Sequence, residues 1–202
     1  MLKSAPNPRT RRSRIGGFSM VELAVSMSVL LILTAIAIPS LLHSMRAYQL
    51  NSAAGNLSDI LKFTRFEAVR RNRPISFLMQ PSGNGWLVGT DSNLNGNIDP
   101  TDKQVAINGF VTLLAGGTPT PTAITNAVGA LTPTPANPGP LQFDARGAVR
   151  VNNTLTANVY VFYVGGAGAS PGDFGYRAVI LLPSGATQIW TAPAGGPWQR
   201  TG

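Results

Sequence analysis

Between Leu23 and Met45 the chain carries no Asp, Glu, Lys or Arg, and the first part of that stretch, Leu23 to Ile38, is almost wholly apolar. A helix needs about 20 mostly apolar residues to cross the hydrocarbon layer of a bilayer, so this run predicts a membrane-spanning helix. Basic residues precede it, which places the N-terminal side in the cytoplasm and everything after Pro39 on the far side. A conventional secretory signal ends in a small-residue cleavage site. Here the run ends in Ile38-Pro39-Ser40-Leu41-Leu42 and passes into a second pattern. In it, Leu50, Ala53, Ala54, Leu57, Leu61, Thr64 and Ala68 recur at helical spacing, while Asn51, Ser52, Asn56, Asp59, Lys62 and Arg65 supply a polar face. The two patterns predict one long helix, first spanning and then amphipathic, with Pro39 as a kink or point of local melting. Pro74 ends it, after the basic cluster Arg70-Arg71-Asn72-Arg73 that suits a helix C-terminus.

Beyond Pro74 the pattern changes to short strands. Ile75 to Met79 and Trp86 to Thr90 flank the turn Pro81-Ser82-Gly83-Asn84-Gly85 and predict a hairpin. Further strands are expected over Gln104 to Leu114, Leu141 to Phe143, Ala148 to Val151, Leu155 to Val164, Tyr176 to Leu182 and Ala186 to Thr191. The stretch 116–140, rich in Thr, Pro, Gly and Ala, predicts a long exposed loop.

Composition agrees with this division. With 202 residues there is room for one head domain and an anchoring helix. Gly (22) and Pro (16) are abundant and charged residues make up only 12%, which favours turns and strands over soluble helices. The net charge of +8 suggests nucleic acid until its placement is considered. Lys3, Arg9, Arg11, Arg12 and Arg14 all precede Gly17, and without them eleven basic residues face eight acidic ones, a net +3. There is no cysteine, hence no disulfide framework and no thiolate metal site.

The junction Arg14-Ile15-Gly16-Gly17-Phe18-Ser19-Met20-Val21-Glu22, followed by the apolar run, resembles a type IV pilin-like precursor. That resemblance implies a leader, residues 1–17, cut after Gly17 by a prepilin peptidase, methylation of the new N-terminal Phe18, and an assembly role for Glu22. The remaining boundaries follow: a transmembrane and assembly segment 18–39, an amphipathic segment 40–74 and a β-rich head 75–202. An acidic side chain inside a spanning helix costs on the order of 2 to 3 kcal/mol, so Glu22 is a functional candidate on physical grounds too. The alternative is a carboxylate that snorkels to the headgroups. Within the superfamily, Glu67-Ala68-Val69-Arg70-Arg71-Asn72-Arg73-Pro74, Gly85-Trp86-Leu87-Val88, Asp91-Ser92-Asn93-Leu94-Asn95-Gly96 and Gln142-Phe143-Asp144-Ala145-Arg146-Gly147 are similar to the GspH/FimT family of minor pseudopilins and minor pilins. The implied fold is α+β and pilin-like: a long N-terminal helix, transmembrane then amphipathic, packed on a mainly antiparallel β-sheet head. The implied setting is the bacterial inner membrane, single-pass, with the leader cytoplasmic, the head periplasmic, and a periplasmic filament after assembly. The implied partners are other pilins or pseudopilins, the prepilin peptidase, the inner-membrane assembly platform and membrane lipid.

The segment 91–102 has oxygen-bearing side chains where a calcium loop has them. Asp91, Asn93, Asn95, Asp99 and Asp102 fall at positions 1, 3, 5, 9 and 12, with Gly96 at the turn. Against calcium, the last position is Asp rather than a bidentate Glu, and strands rather than helices flank the loop. The competing reading is a turn satisfied by its own Asn and Asp side chains. No cofactor is otherwise required, and calcium, if bound, is weak. Gly168-Ala169-Ser170-Pro171-Gly172 fits G-x-S-x-G, but a nucleophile elbow needs a strand-to-helix turn and a histidine base, and the only histidine is His43 beside the apolar run. The glycine run Gly165-Gly166-Ala167-Gly168 has no helix pattern after it to make a phosphate loop. Trp86 and Trp190 sit in strand patterns and are expected in the core.

Three classes of function follow. The first is a structural subunit of a type II secretion pseudopilus or type IV pilus, working by helix-mediated assembly. The second is a FimT-like DNA receptor for natural transformation. Such receptors carry a G-R-x-R motif that aligns with Gly185-Ala186-Thr187-Gln188, where both arginines are missing. An enzyme comes last, because the sequence pairs no nucleophile with a base and no two carboxylates.

Overall fold

The computed structural model describes residues 17–114, 119–134, 141–168 and 170–202. Leader residues 1–16, and with them the five leader cations, lie outside the described residues, as do residues 116–118 and 135–140 of the expected loop. The elements are α1 (Met20–Arg71), β1 (Ile75–Ser82), β2 (Gly85–Asp91), β3 (Gln104–Ile107), β4 (Val111–Leu114), α2 (Thr122–Val128), β5 (Leu131–Thr134), β6 (Leu141–Phe143), β7 (Val149–Val151), β8 (Thr154–Leu155), β9 (Val159–Gly166), β10 (Tyr176–Leu181), β11 (Thr187–Ala192) and β12 (Gln199–Arg200). They fall into two units that meet between Leu41 and Leu42.

In the first unit, α1 is exposed throughout its apolar run, and the segment long and apolar enough to cross a membrane contains no buried residue. Helical structure continues without interruption through Pro39. The local melting expected there does not occur, because one proline removes a single backbone bond and leaves those of its neighbours intact.

The second unit is a head of two sheets built on the last turns of α1. Leu50, Ala53, Ala54, Leu57, Leu61, Thr64 and Ala68 are all buried, as the helical spacing predicts, and Ser58, Ile60 and Glu67 join them. The helix closes on Asn72, whose φ of 48° is left-handed. Its amide donates to Val69 O (3.2 Å), and the Arg73 amide donates to Ala68 O (3.2 Å), the paired bonds of a Schellman end. Pro74 then starts the strand region.

The first sheet runs β3-β2-β1-β6-β7-β8, with antiparallel pairing throughout. The expected hairpin is longer than its hydrophobic pattern suggests, pairing Ser82 with Gly85 across a two-residue turn. The second sheet runs β12-β11-β10-β9-β4. Two strands share the outer edge of β9: β4 pairs antiparallel with its C-terminal half and β5 parallel with its N-terminal half.

Two segments depart from the sequence expectation. Gln104 to Leu114 is two strands, since Asn108-Gly109-Phe110 turns the chain, with Gly109 at φ 74°, and sends β3 and β4 to different sheets. The stretch 116–140 is more than a loop, because it contains α2 and β5, and Ile124 of α2 is fully buried. Every residue of β9 and β10 is buried, which means the second sheet has an apolar face on each side. Tyr160, Phe162, Val164, Val179 and Leu181 meet the core shared with α1 and the first sheet. Val161, Tyr163, Ala178, Ile180 and Trp190 face the other way and pack with Ile124 and Trp198 in a second core. Covering that second face is the physical reason for α2. Trp190 is buried as expected, and Trp86 is partly buried against the first core.

The two sheets are tied where turns cross. Gly147 (φ 79°) and Gly185 (φ 78°) lie so close that a Cβ on Gly185 would stand 2.1 Å from Gly147 O. Arg65 lies against both and donates from Nε to Gly147 O at 3.1 Å. Thr64 and Thr90 share a buried hydrogen bond (2.8 Å), and Ser58 and Thr187 another (3.0 Å), so α1 is bonded to both sheets.

Candidate functional site

The N-terminal end of α1 holds the sequence-predicted assembly residues. Ser19 caps the helix: its Oγ accepts from Val21 N at 3.3 Å and its carbonyl accepts from Leu23 N at 3.0 Å. Glu22 stands three residues after this cap, in the first turn, where the helix dipole favours a negative charge. Phe18 is 78% exposed, and so are most apolar side chains of the next six turns. The hydroxyls of this segment turn inward on their own helix. Ser26 donates to Glu22 O (2.7 Å), Ser28 to Ala24 O (2.8 Å) and Thr34 to Leu30 O (2.7 Å). Such bonds let Ser and Thr enter hydrocarbon with their donors satisfied. The Glu22 carboxylate is different, for among the described residues it has no hydrogen-bond or ion-pair partner. The sequence-predicted Gly17, Phe18 and Glu22 thus lie within six residues of one another at the start of α1, ahead of turns whose Ser26, Ser28 and Thr34 hydroxyls are bonded to their own helix.

The 91–102 loop lies beside the C-terminal end of α1. Both oxygens of Asp91 accept backbone amides, Oδ1 from Asn95 N (3.2 Å) and Oδ2 from Gly96 N (2.9 Å). Asp102 Oδ1 accepts from the Ser92 hydroxyl (2.7 Å) and amide (3.3 Å), and Oδ2 from Asp99 N (3.0 Å). Burial pushes the Asp102 carboxyl up, but these hydrogen bonds and the charge of Arg71 outweigh it and hold it below the usual carboxylate range. Asn93 Nδ2 and Asn95 Nδ2 both donate to Asp99 Oδ2, at 2.9 and 2.8 Å. What meets is therefore one carboxylate oxygen and two amides. Among the described residues no three His, Cys, Asp or Glu side chains gather as a metal centre.

Sequence reasoning missed the tie between this loop and α1. Glu67 is only 5% exposed and accepts from Arg70 Nε and Nη2 (3.0 and 2.7 Å) and from Arg71 Nε (2.7 Å). The bonds from Arg70 lead in holding its carboxyl below the ordinary range, against burial. Arg71 and Arg73 also donate to Ser92 O, at 3.2 and 2.6 Å. The basic cluster read as a helix end is also the clamp on the loop.

Other candidates separate. Ser170 lies between β9 and β10, two antiparallel strands, which is no strand-to-helix elbow. His43 is exposed on α1, with its ring 5.2 Å from that of Phe174. Turn 183–186 carries no arginine, and the guanidinium nearest to it is Arg65, already committed to Gly147 O.

Against known families, residues 53–185 match the model described as type II transport protein GspH. The chain belongs to the GspH family. No curated protein and no solved structure gave a match. The match starts within the buried half of α1 and ends in the turn between β10 and β11, so it covers most of the head. The apolar first half of α1 and its Glu22 fall outside it, and an apolar N-terminal helix is consistent with GspH membership. A GspH protein is a component of type II transport, and the exposed apolar first half of α1 fits a membrane-anchored pseudopilin.

Proposed function

We propose that the chain is the precursor of a minor pseudopilin of a type II secretion pseudopilus. Cleavage after Gly17 exposes Phe18 for methylation, the apolar half of α1 packs among the helices of other pseudopilins, and the head decorates the filament in the periplasm. The protein acts by assembly, without catalysis of its own. The observation that carries this reading is the union of two parts in one helix. Its first half is exposed and apolar enough to span a membrane, and its second half is the core of a GspH head. Secretion is preferred to a type IV pilus because the matched family is one of type II transport. A strain lacking the gene is expected to stop exporting type II substrates while its pili persist. Restored on a plasmid, the chain is recovered with methylated Phe18 at its N-terminus and export returns. A chain that still carries residues 1–17, or export that never depended on the gene, overturns the reading; loss of pili alone moves the protein to a pilus. A DNA receptor has less support, since the Gly185–Gln188 segment lacks both arginines.

Calcium at the 91–102 loop is a separate proposal. It is supported by the spacing of its oxygen-bearing side chains and by the meeting of Asn93 and Asn95 on Asp99. Turning the two amides presents their oxygens where their nitrogens now lie. Affinity in the millimolar range of extracytoplasmic modules is expected, because Asp102 supplies no bidentate arm and is already bonded to Ser92 and Asp99. Calorimetry checks it: no heat on titration with millimolar calcium removes calcium from this loop.

A further inference from the structure

His43 and Arg46 are the first titratable residues after Glu22, and they stand about one helical turn past the end of the apolar run at Leu42. Two connections of the head come to the same place. The Phe174 ring, between β9 and β10, lies 5.2 Å from His43 and 5.2 Å from Phe110, which it meets edge to face. Arg46 places its guanidinium carbon 4.3 Å from the centroid of Phe110. Both phenylalanines are half-buried, while Met45 and Tyr48 on the same helix segment are 52% and 72% exposed. Behind them Arg177 is buried, donating to Asn51 Oδ1 and, at 2.9 Å, to Tyr176 O. Among the described residues neither Arg46 nor Arg177 is paired with a carboxylate. The one acid in the turn between β9 and β10 is Asp173, which is exposed.

Aromatic rings and cations concentrate at the level where a spanning helix leaves the hydrocarbon, the rings for their mixed polarity and the cations for headgroup phosphate. Arg46 spends one donor on its own helix, Nη1 to Gln49 Oε1 at 3.3 Å, and a guanidinium stacked on a phenylalanine has five donors in all, so others remain for an anion. His43 and Arg46 lie on the helical segment directly after the span, so covalent continuity brings the rings packed on them within reach of the headgroup layer. We propose that Arg46, with Phe110 and Phe174, seats the head on anionic headgroups of the bilayer that holds its own anchor, before assembly lifts the subunit out. This inference rests on the membrane-anchored reading of the first half of α1.

The test uses the full chain in lipid nanodiscs of phosphatidylcholine, with or without phosphatidylglycerol, and follows amide exchange of residues 108–110 and 170–175. Exchange is expected to be about fivefold slower with phosphatidylglycerol, roughly the worth of one cation at an anionic surface. Arg46→Gln should abolish that difference, while Val179–Leu181 in the core exchanges alike in every sample. Equal rates in the two lipids, or a lipid effect that survives Arg46→Gln, overturn the proposal. So does protection that appears only when a second pseudopilin is added, which would give the surface to a protein carboxylate. A chain that never enters the discs refutes the anchor and this inference together; one that enters without lipid-dependent protection refutes the inference alone.

Discussion

Glu22→Ala is expected to leave the chain in the membrane and keep it out of the filament. In the free subunit this carboxylate sits near the start of a spanning helix, with no partner among the described residues. Its presence there costs on the order of 2 to 3 kcal/mol on insertion scales. A cation brought by a neighbouring helix relieves that cost only on assembly, so the carboxylate favours the filament over the free subunit. Removing it should improve insertion and lower incorporation by about thirtyfold or more, since each 1.4 kcal/mol is about tenfold. The helix cap offers a competing account, because Ser19 and Glu22 occupy capping-box positions. Glu22→Gln separates the two: glutamine serves a capping box and carries no charge. It should assemble as poorly as alanine, and quantifying the chain in sheared filaments against that in membranes measures this. Normal incorporation of the glutamine variant would reduce Glu22 to a cap.

The second large effect concerns the head. Phe162 is fully buried on β9 and meets Phe77 of β1 edge to face, with centroids 5.8 Å apart and planes at 87°. It therefore joins the two sheets within the core they share with α1. Phe162→Ala removes a ring that nothing nearby can replace and is expected to cost about 3 to 5 kcal/mol. Phe66→Ala, on the exposed side of α1 at 60% exposure, should stay within about 0.5 kcal/mol. Urea unfolding of the full chain in detergent checks the pair: the Phe162 midpoint should fall sharply with little change in slope, and a small shift would mean that the sheets are not held together there.

The parts of this structure that sequence foretold are those with a strong period. Leu50 to Ala68 announce a buried helical face because seven apolar or small residues keep the same side over five turns. The Asn108-Gly109 turn was hidden because Val105, Ile107, Val111 and Leu113 preserve a strand-like alternation on either side of it. Local pattern cannot report that the two halves pair with different partners, β2 in one sheet and β9 in the other. The 119–134 segment was missed for a related reason. Its composition is that of a loop, and Ile124 is its only fully buried large side chain. The signal lay elsewhere, in the unbroken apolar run of β9, which demanded cover on both faces. At the candidate sites, Glu22 stands out in the sequence because a charge directly before an apolar run is conspicuous. In the 91–102 loop the spacing was legible and the direction of its hydrogen bonds was not, nor was the clamp from Glu67, Arg71 and Arg73, since that depends on where α1 ends in space.

The second core also changes where this protein can be altered without harm. A Thr- and Pro-rich stretch in a head domain is the customary place for an epitope tag or a fluorescent fusion. Here such an insertion between Thr122 and Thr134 would pry Ile124 from the face it shares with Trp198, and would separate β5 from β9. The hairpin tip at Gly83-Asn84 is exposed and leaves both cores untouched. A label placed there reports on the native subunit, whereas one placed in the apparent linker reports on a damaged one.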